Sequence, residues 1–318
     1  MALGRRLDAW LLRRLPEREQ QTLTQRNVYI LPTRAGWGFA ATLLVMLLAS
    51  INYQLNLGYG LTFLLGGAAL VSMHQTHANL RRLVLHLRPL TPVFAGEPAT
   101  LEVVLANPDQ ARHAVGLALH EAGRHGMAFC DVPAQGSTVA RLRWTPPRRG
   151  RLPVPVLQVE THFPLGLFRA WTLWRPAATL RVWPAPERPA PPLPLGESAG
   201  EPAASAPRRA GGSEFDGVRP WRRGDALRQV AWKKVARSGE LVSRDTQTSA
   251  AQALRLDWAA SGGSGADAEA RLSRLAAWVL AADAAGLAYA LQLPGMQLPR
   301  AGGEAQRRAA LDALADWS

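Results

Sequence analysis

Carboxylates that could perform acid–base chemistry are concentrated between residues 206 and 246. Glu214, Asp216 and Asp225 lie there, and paired carboxylates commonly act as general acid and base in enzymes. The basic residues that surround them in sequence are Arg219, Arg222, Arg223 and Arg228. A neighbouring guanidinium favours the ionised carboxylate, which makes it a poor proton donor. We therefore predict structural ion pairs here and no catalytic residue.

The same stretch holds ten Arg or Lys residues against five Asp or Glu residues, with Phe215, Trp221 and Trp232 among them. Such a mixture can bind the phosphates of nucleic acids or of anionic phospholipids, with a steep dependence on salt. We favour the alternative, in which the tryptophans are core residues and the arginines pair locally. The formal net charge of +13 does not decide, because nearly all of it is arginine in a sequence that is also rich in alanine and proline.

Other residues that could carry chemistry are sparse. Cys130 is the only cysteine, which excludes an internal disulfide and a thiolate cluster for zinc or iron–sulfur. His74 and His77 lie three residues apart without a visible third ligand, so we interpret them as interfacial polar residues. The glycine-rich runs lack the Lys-Ser/Thr pair of a phosphate-binding loop, and no G-x-S-x-G motif occurs. We predict no cofactor.

Residues 35–80 contain no Asp, Glu, Lys or Arg. Two apolar runs, Ala35–Ile51 and Leu55–Met73, are each close to the roughly 17–25 residues that a helix needs to cross a bilayer. The polar residues Asn52, Tyr53 and Gln54 separate them. A signal peptide would begin nearer to Met1 and have one apolar core. A buried hairpin of a soluble protein remains an alternative, but apolarity on all faces favours a two-helix transmembrane hairpin.

Arginines predict the orientation of this hairpin. Seven of them precede the first run, three follow the second at Arg81, Arg82 and Arg88, and the turn has none. Because positive residues stay on the cytoplasmic side, both termini are predicted to be cytoplasmic. The small residues Gly66, Gly67, Ala68 and Ala69 are predicted to allow close approach of the two helices.

The rest of the chain predicts two folded domains around a linker. Residues 81–183 contain short β-rich runs separated by Pro, Gly and Asn, typical of a β-sandwich of about seven strands. Residues 184–210 are a Pro/Ala-rich linker, and residues 1–34 a basic cytoplasmic segment. Residues 211–318 alternate strand, helix, strand and helix, which predicts an α/β domain with a parallel sheet. The fold class is therefore a transmembrane α-hairpin, an all-β sandwich and a C-terminal α/β domain.

One stretch has a distinctive pattern that reads E-F-x-x-[LV]-R-x-[YW]-x-x-G-D-x-x-R-x-[IV]-x-W-x-x-x-A-R-x-G-x-L. The residues that carry it are Glu214, Phe215, Val218, Arg219, Trp221, Gly224, Asp225, Arg228, Val230, Trp232, Ala236, Arg237, Gly239 and Leu241. Asp225 is predicted to cap a helix that runs to about Ala236. This pattern resembles the signature of the bacterial "domain of unknown function 58" family, with Trp221 where tyrosine is commoner. The resemblance extends to the two apolar runs, the strand-rich region and the segment 163–168.

The resemblance implies a membrane-anchored protein with a domain related to the von Willebrand factor A fold. Members are typically encoded beside MoxR-type AAA+ ATPases and are suspected of working with them in protein assembly or maturation. No catalytic residue is implied. The signature residues are therefore expected to be structural or to bind a partner.

A von Willebrand factor A domain binds its metal through D-x-S-x-S at the end of the first strand, where oxygen ligands converge on a hard cation. Asp257 and Ser261 fit the first and last positions here, but Ala259 replaces the middle serine. The loss of one hydroxyl ligand predicts weak Mg²⁺ binding or none. We interpret Asp257 as the cap of the following turn.

Three functions follow, in order of preference. The first is a non-enzymatic, membrane-anchored cytoplasmic scaffold or adaptor for a MoxR-type AAA+ ATPase. The second is a module that binds anionic phospholipid or nucleic acid, of which nucleic acid is the less favoured ligand. The third is a hydrolase, for which the sequence has no recognisable nucleophile.

Overall fold

The structure is a computed structural model that describes residues 15–121, 126–194, 218–220, 242–244, 254–262 and 267–317. The chain divides into two compact units, Met1–Ala185 with Ala315–Ser318, and Pro186–Leu314. The first unit contains the pair of long apolar helices and most of the β-strands. The second unit contains the C-terminal α/β region.

The first unit is built mainly from two β-sheets. The six-stranded sheet contains β1 (Glu17–Arg18), β12 (Phe168–Pro176), β11 (Leu157–Thr161), β7 (Arg112–Leu119) and β8 (Ala128–Val132) in spatial order, with β3 (Tyr29–Pro32) also paired to β12. The four-stranded sheet contains β2 (Gln20–Thr22), β4 (Val84–Leu87), β6 (Ala99–Asn107) and β9 (Gly136–Trp144). A small third sheet contains β10 (Gly150–Pro153), β13 (Thr179–Trp183) and β5 (Val93–Phe94). We call the six-stranded and four-stranded sheets the sheet pair.

The sheet pair shares one hydrophobic core. Leu85, Leu101 and Leu105 of the four-stranded sheet and Leu117 and Val159 of the six-stranded sheet are all fully buried in the same cluster. Along the first part of β6, buried Leu101 and Val103 alternate with the more exposed Thr100 and Glu102, as the two-residue period of a strand requires. Two sheets around one core are consistent with the predicted β-sandwich.

The structure adds strands that the sequence reading missed. Residues 17–32, part of the predicted basic segment, form β1, β2 and β3, which pair with β12 and β4. Leu23 and Val28 between them are buried in the common core. These strands have only two to four residues each, so no alternation of apolar and polar residues is long enough to detect in the sequence.

The two apolar runs form helices α1 (Arg34–Asn52) and α2 (Asn56–Leu80). The predicted polar break between them is confirmed, and Gln54 takes a left-handed backbone conformation there with φ of 52°. Only 6% and 11% of their most apolar windows are buried. Both helices are thus long and apolar enough to span a membrane, and the large apolar side chains along them are mostly exposed rather than packed as a protein core.

The close contact of the two helices is not where the small residues predicted it. A Cβ atom added to Gly58 would lie 2.2 Å from Ser50 Oγ, so that glycine permits the approach near the turn. A Cβ atom on Gly66 would only reach Leu43 Cδ1 at 4.0 Å, and none lies within 4 Å at Gly67. The helices are tightest beside the turn because the short connection holds them there.

The second unit has a small sheet flanked by two helices. Its elements are β16 (Leu254–Asp257), α3 (Ala268–Ala284), β17 (Tyr289–Leu293), β18 (Met296–Ala301) and most of α4 (Glu304–Asp316). The predicted strand–helix–strand–helix order is confirmed, and β16 and β17 are parallel. Gly286 ends α3 with φ of 65°, as its position predicted. The antiparallel strand β18 was not predicted, because most of its residues are exposed and it contains Pro299.

The beginning of the predicted linker packs on α3. Glu187 accepts hydrogen bonds from the guanidinium of Arg274 at 2.8 and 3.1 Å, which hold the pKa of Glu187 below its usual value. Trp278 Nε1 donates to the Pro192 carbonyl at 2.9 Å. The N-terminal part of the proline-rich linker is therefore an extended segment that lies along α3.

A carboxylate is buried on the central strand of the six-stranded sheet. Glu160 on β11 is 1% exposed and accepts hydrogen bonds from Arg169 Nε at 2.6 Å and from Gln158 Nε2 at 2.9 Å. Gln158 Oε1 lies 3.3 Å from His120 Nδ1. Removing one partner of a buried ion pair is costly, because the other charge keeps its desolvation penalty.

We predict that Glu160→Ala lowers the free energy of unfolding by about 3 kcal/mol, since Arg169 would lose its buried counter-charge. Glu102→Ala is the control, because Glu102 pairs with Arg141 and Arg88 on a more exposed surface, where ion pairs contribute little. Denaturant unfolding of the detergent-solubilised chain, followed by tryptophan fluorescence, measures both. An equal loss in the two variants would contradict the assignment of a buried pair.

Candidate functional site

The start of α1 is attached to the loop between β11 and β12. Thr33 is the N-cap of α1, and its hydroxyl oxygen accepts a hydrogen bond from Gly36 N at 3.0 Å. The same hydroxyl donates to the Gly166 carbonyl at 2.7 Å, and Thr33 N donates to the Leu167 carbonyl at 2.9 Å. One residue therefore caps the helix and also binds the sheet pair.

Gly36 lets this loop lie directly against the first turn of α1. A Cβ atom at Gly36 would lie 2.1 Å from the Leu167 carbonyl oxygen, a distance that no side chain tolerates. The obstacle is backbone, which cannot rotate away as a side chain could. A glycine is thus required here by the close approach of two backbones.

The end of α2 is attached to the same sheet, at β7 and β11. Thr76, Asn79 and Leu80 in its last turns are buried. Asn79 Nδ2 donates to the His113 carbonyl at 2.7 Å and to Thr161 Oγ1 at 2.9 Å, and Asn79 Oδ1 accepts from His113 N at 3.1 Å. These bonds join α2 to β7 and β11. Because they use both the amide nitrogen and the amide oxygen of Asn79, they fix the orientation of its buried side chain.

Charged groups surround the end of α2. Asp109 pairs with Arg82 at 3.1 Å and with Arg112 at 3.3 Å, and Arg112 also donates to the Arg81 carbonyl. Burial lowers the pKa of Arg112, and the nearby Asp109 opposes that shift. The segment after α2 is therefore held by ion pairs as well as by its core contacts. We call these attachments of α1 and α2 to the sheet pair the helix–sheet junction.

The histidines near this junction do not form a recognisable metal site. His74 is exposed on α2 and His77 is partly buried one turn later. Within the part of the chain that the structure describes, no group of three His, Cys, Asp or Glu side chains is arranged to hold a metal ion.

Asp257 and Ser261 lie where the sequence placed them, at the end of β16 and in the turn that follows. Asp257 Oδ1 accepts a hydrogen bond from Ala259 N at 2.9 Å, the capping contact that we predicted. Ser261 is buried, and its hydroxyl donates to the Trp258 carbonyl at 2.7 Å. Both side chains therefore serve the turn, and the lone pairs of Asp257 that remain are the ones available to a cation.

Cys130 is a half-buried residue of β8. Its thiol lies 3.6 Å from the Val115 carbonyl oxygen, to which it donates. Burial raises the pKa of the Cys130 thiol, and Asp131 raises it further. The protonated thiol is a poor nucleophile and a poor metal ligand.

Part of the signature stretch forms one strand of a two-stranded sheet. The backbones of Val218 and Arg219 lie in β14 (Val218–Pro220), which pairs antiparallel with β15 (Val242–Arg244). The other predicted signature residues lie outside the described residues: Glu214, Phe215, Trp221, Gly224, Asp225, Arg228, Val230, Trp232, Ala236, Arg237, Gly239 and Leu241. Their assignment to structure or to a partner surface stays a prediction.

Comparison with known proteins adds no relative. No protein-family model matches the chain. A search of curated proteins likewise finds no significant match. The resemblance in the signature stretch therefore stays a prediction from the motif.

The helix–sheet junction is the site that sequence reasoning missed. Thr33 before an apolar run is a recognisable N-cap signal. The roles of Gly36 and Asn79 have no local signal, because their partners are more than 30 residues away in sequence, at Leu167 for one and at His113 and Thr161 for the other.

We predict that Gly36→Ala destabilises the chain by about 2 kcal/mol or more, because the added methyl group overlaps the Leu167 carbonyl and forces the backbones apart. Gly38→Ala is the matched control: it lies in the same helix with nothing within 4 Å of its added Cβ atom. That control is expected to be neutral or to gain up to about 1 kcal/mol of helix propensity. Thermal unfolding in detergent compares them, and equal melting temperatures would contradict the close contact.

We predict that Mg²⁺ does not bind Asp257 with micromolar affinity, because Ala259 supplies no hydroxyl and Ser261 donates to a backbone carbonyl. Isothermal titration of the full detergent-solubilised chain with MgCl₂ measures this. Asp257→Ala is the control variant. Micromolar binding by the parent that disappears in this variant would overturn the interpretation.

Proposed function

We propose that the chain is anchored in a bacterial inner membrane by α1 and α2 and presents its sheet pair and its second unit to the cytoplasm. The observation that carries this proposal is the exposure of both helices, whose most apolar windows are only 6% and 11% buried. Large contiguous apolar surfaces are rare on soluble monomers. Helices of 19 and 25 residues have lengths of about 28 and 37 Å, enough for a hydrocarbon core of about 30 Å.

Arginine placement supports the orientation. Arg34 begins α1, and Arg81 and Arg82 follow α2, all at the end of the helix pair that carries the sheet pair. The turn between the helices has no positive residue. By the positive-inside rule the sheet pair lies on the cytoplasmic side.

We further propose that the anchored protein is a non-enzymatic scaffold or adaptor for a MoxR-type AAA+ ATPase in protein assembly or maturation. The partner follows from the signature motif alone. The C-terminal unit is proposed to be a degenerate von Willebrand factor A-like domain, on the strength of its parallel strands β16 and β17 and of Asp257 at the strand end. The hydrogen bonds of Asp257 and Ser261 within the turn after β16 support a structural role for both side chains.

Membrane extraction and co-purification test both parts. The tagged full chain is expected to stay in membranes washed with alkaline carbonate, to dissolve in detergent and to bring a MoxR-type ATPase with it. Arg237→Ala, within the signature, is expected to reduce the ATPase yield without releasing the chain from membranes, while Trp37→Ala in α1 serves as the control that keeps the ATPase. Release by carbonate would overturn the anchoring, and absence of an ATPase after mild cross-linking would overturn the partnership.

A further inference from the structure

The loop between β11 and β12, residues 162–167, presents a large apolar side chain to its surroundings. Leu165 at its tip is 59% exposed. Gly166 follows with φ of 71°, a left-handed conformation that turns the backbone sharply and suits glycine. Gly166 N donates to the His162 carbonyl at 2.8 Å, so the loop is closed by its own hydrogen bond. The exposed leucine is therefore held on an ordered turn.

The contacts of this loop determine its depth relative to the helices. The backbone of Leu167 touches Gly36, the third residue of α1. The whole of α1 is about 28 Å long, slightly less than the roughly 30 Å of a hydrocarbon core. If α1 spans that core, its first turn must lie at the boundary between acyl chains and headgroups. A loop that touches that turn lies at the same boundary.

The register between α1 and α2 independently locates the same membrane boundary along α2. Gly58 packs against Ser50, and Gly66 faces Leu43. Continued along the antiparallel pair, this register places Arg34 opposite His74 and Gln75. The residues of α2 beyond that point are those that pack on the sheets, so the sheet pair begins where the bilayer ends.

We propose that Leu165 inserts into the cytoplasmic interface of the bilayer, at the depth of Trp37, and that this loop is a third membrane contact of the protein. The proposal rests on the proposed membrane anchoring. Its partner is the acyl-chain and glycerol boundary of the leaflet rather than a headgroup charge, because residues 162–167 contain no Lys, Arg, Asp or Glu. Burying one leucine side chain contributes to association in proportion to its apolar area.

The contact has a consequence for the sheet pair. If only the two helices contact the bilayer, the protein is free to tilt relative to the membrane normal. A third contact beside α1 restricts that tilt. The rigid attachments of Thr33 and Asn79 transmit this restriction to β7, β11 and β12.

Depth measurement with a fluorophore tests the proposal. In a Cys130→Ser background, single cysteines at Leu165→Cys, Ala177→Cys and Leu44→Cys are labelled in the full chain. Each labelled chain is reconstituted into phosphatidylethanolamine–phosphatidylglycerol vesicles containing nitroxide-labelled lipid. Ala177 is the matched control, an exposed residue just past the other end of β12, about 30 Å from its start.

We expect the label at position 165 to be quenched several-fold more strongly by shallow nitroxide lipid than the label at position 177, and to be protected from aqueous iodide. The label at position 44, on an exposed face of α1, reports on spanning by its quenching with deep nitroxide lipid. Quenching at 44 with none at 165 overturns the interfacial loop and leaves the anchoring intact. No quenching at 44 overturns the anchoring itself and the loop contact with it. Protection of 165 from iodide without lipid quenching also overturns the proposal, and assigns the loop to a protein contact.

Discussion

The first turn of α1 lies against the backbone of Leu167, with no side chain between them. Glycine at position 36 makes this approach possible, and Thr33 secures it by bonding both the helix and the loop. The contact sets the direction in which α1 leaves the sheet pair. Because α2 is joined to α1 by a short turn, the direction of the whole helix pair follows from it.

The second attachment, at Asn79, makes the first one effective. A single contact would act as a pivot, whereas two contacts resist rotation, one on the loop between β11 and β12 and one on β7 and β11. Both attachments include a hydrogen bond from a helix-terminal side chain to a backbone carbonyl, that of His113 for Asn79 and that of Gly166 for Thr33. The Asn79 amide is buried, and a buried amide is costly to leave unpaired, so breaking this attachment is unfavourable.

This rigidity bears on the proposed scaffold function. A flexible linker would let the sheet pair sample many distances from the proposed membrane, as Gly/Ser-rich linkers do. Here the chain passes from Pro32 through Thr33 directly into α1, and from Leu80 through two residues to the core residue Leu83. An ATPase that acts on such a protein would meet a surface at a defined height above the membrane. Within the described residues, the six-stranded sheet is bonded to both helices, to α1 through the loop 162–167 and to α2 through β7 and β11.

The sequence was sufficient for features that depend on local composition. The two helices and their turn follow from a long run without charged residues, and the order of sheets before an α/β region follows from a change of apolar period. Asp257 as a turn cap also follows, since an aspartate at a strand end commonly accepts from a backbone N–H two residues on. Gly66 and Gly67 were misleading because small residues permit a close approach without requiring one.

What only the tertiary structure decided are the pairings between distant residues. Thr33 and Gly166 are 133 residues apart, and Asn79 and Thr161 are 82 apart. The short strands β1 to β3 join the sheets because β12 and β4 offer unpaired edges to them. The sequences of those short strands contain no pattern that predicts this pairing. Glu160 is buried for the same kind of reason: every residue of β11 is buried in the folded sheet, and the partner of its carboxylate, Arg169, lies on β12. Local sequence thus determines which segments are apolar, helical or extended, while the partners of each polar group emerge only when the sheets close around one core.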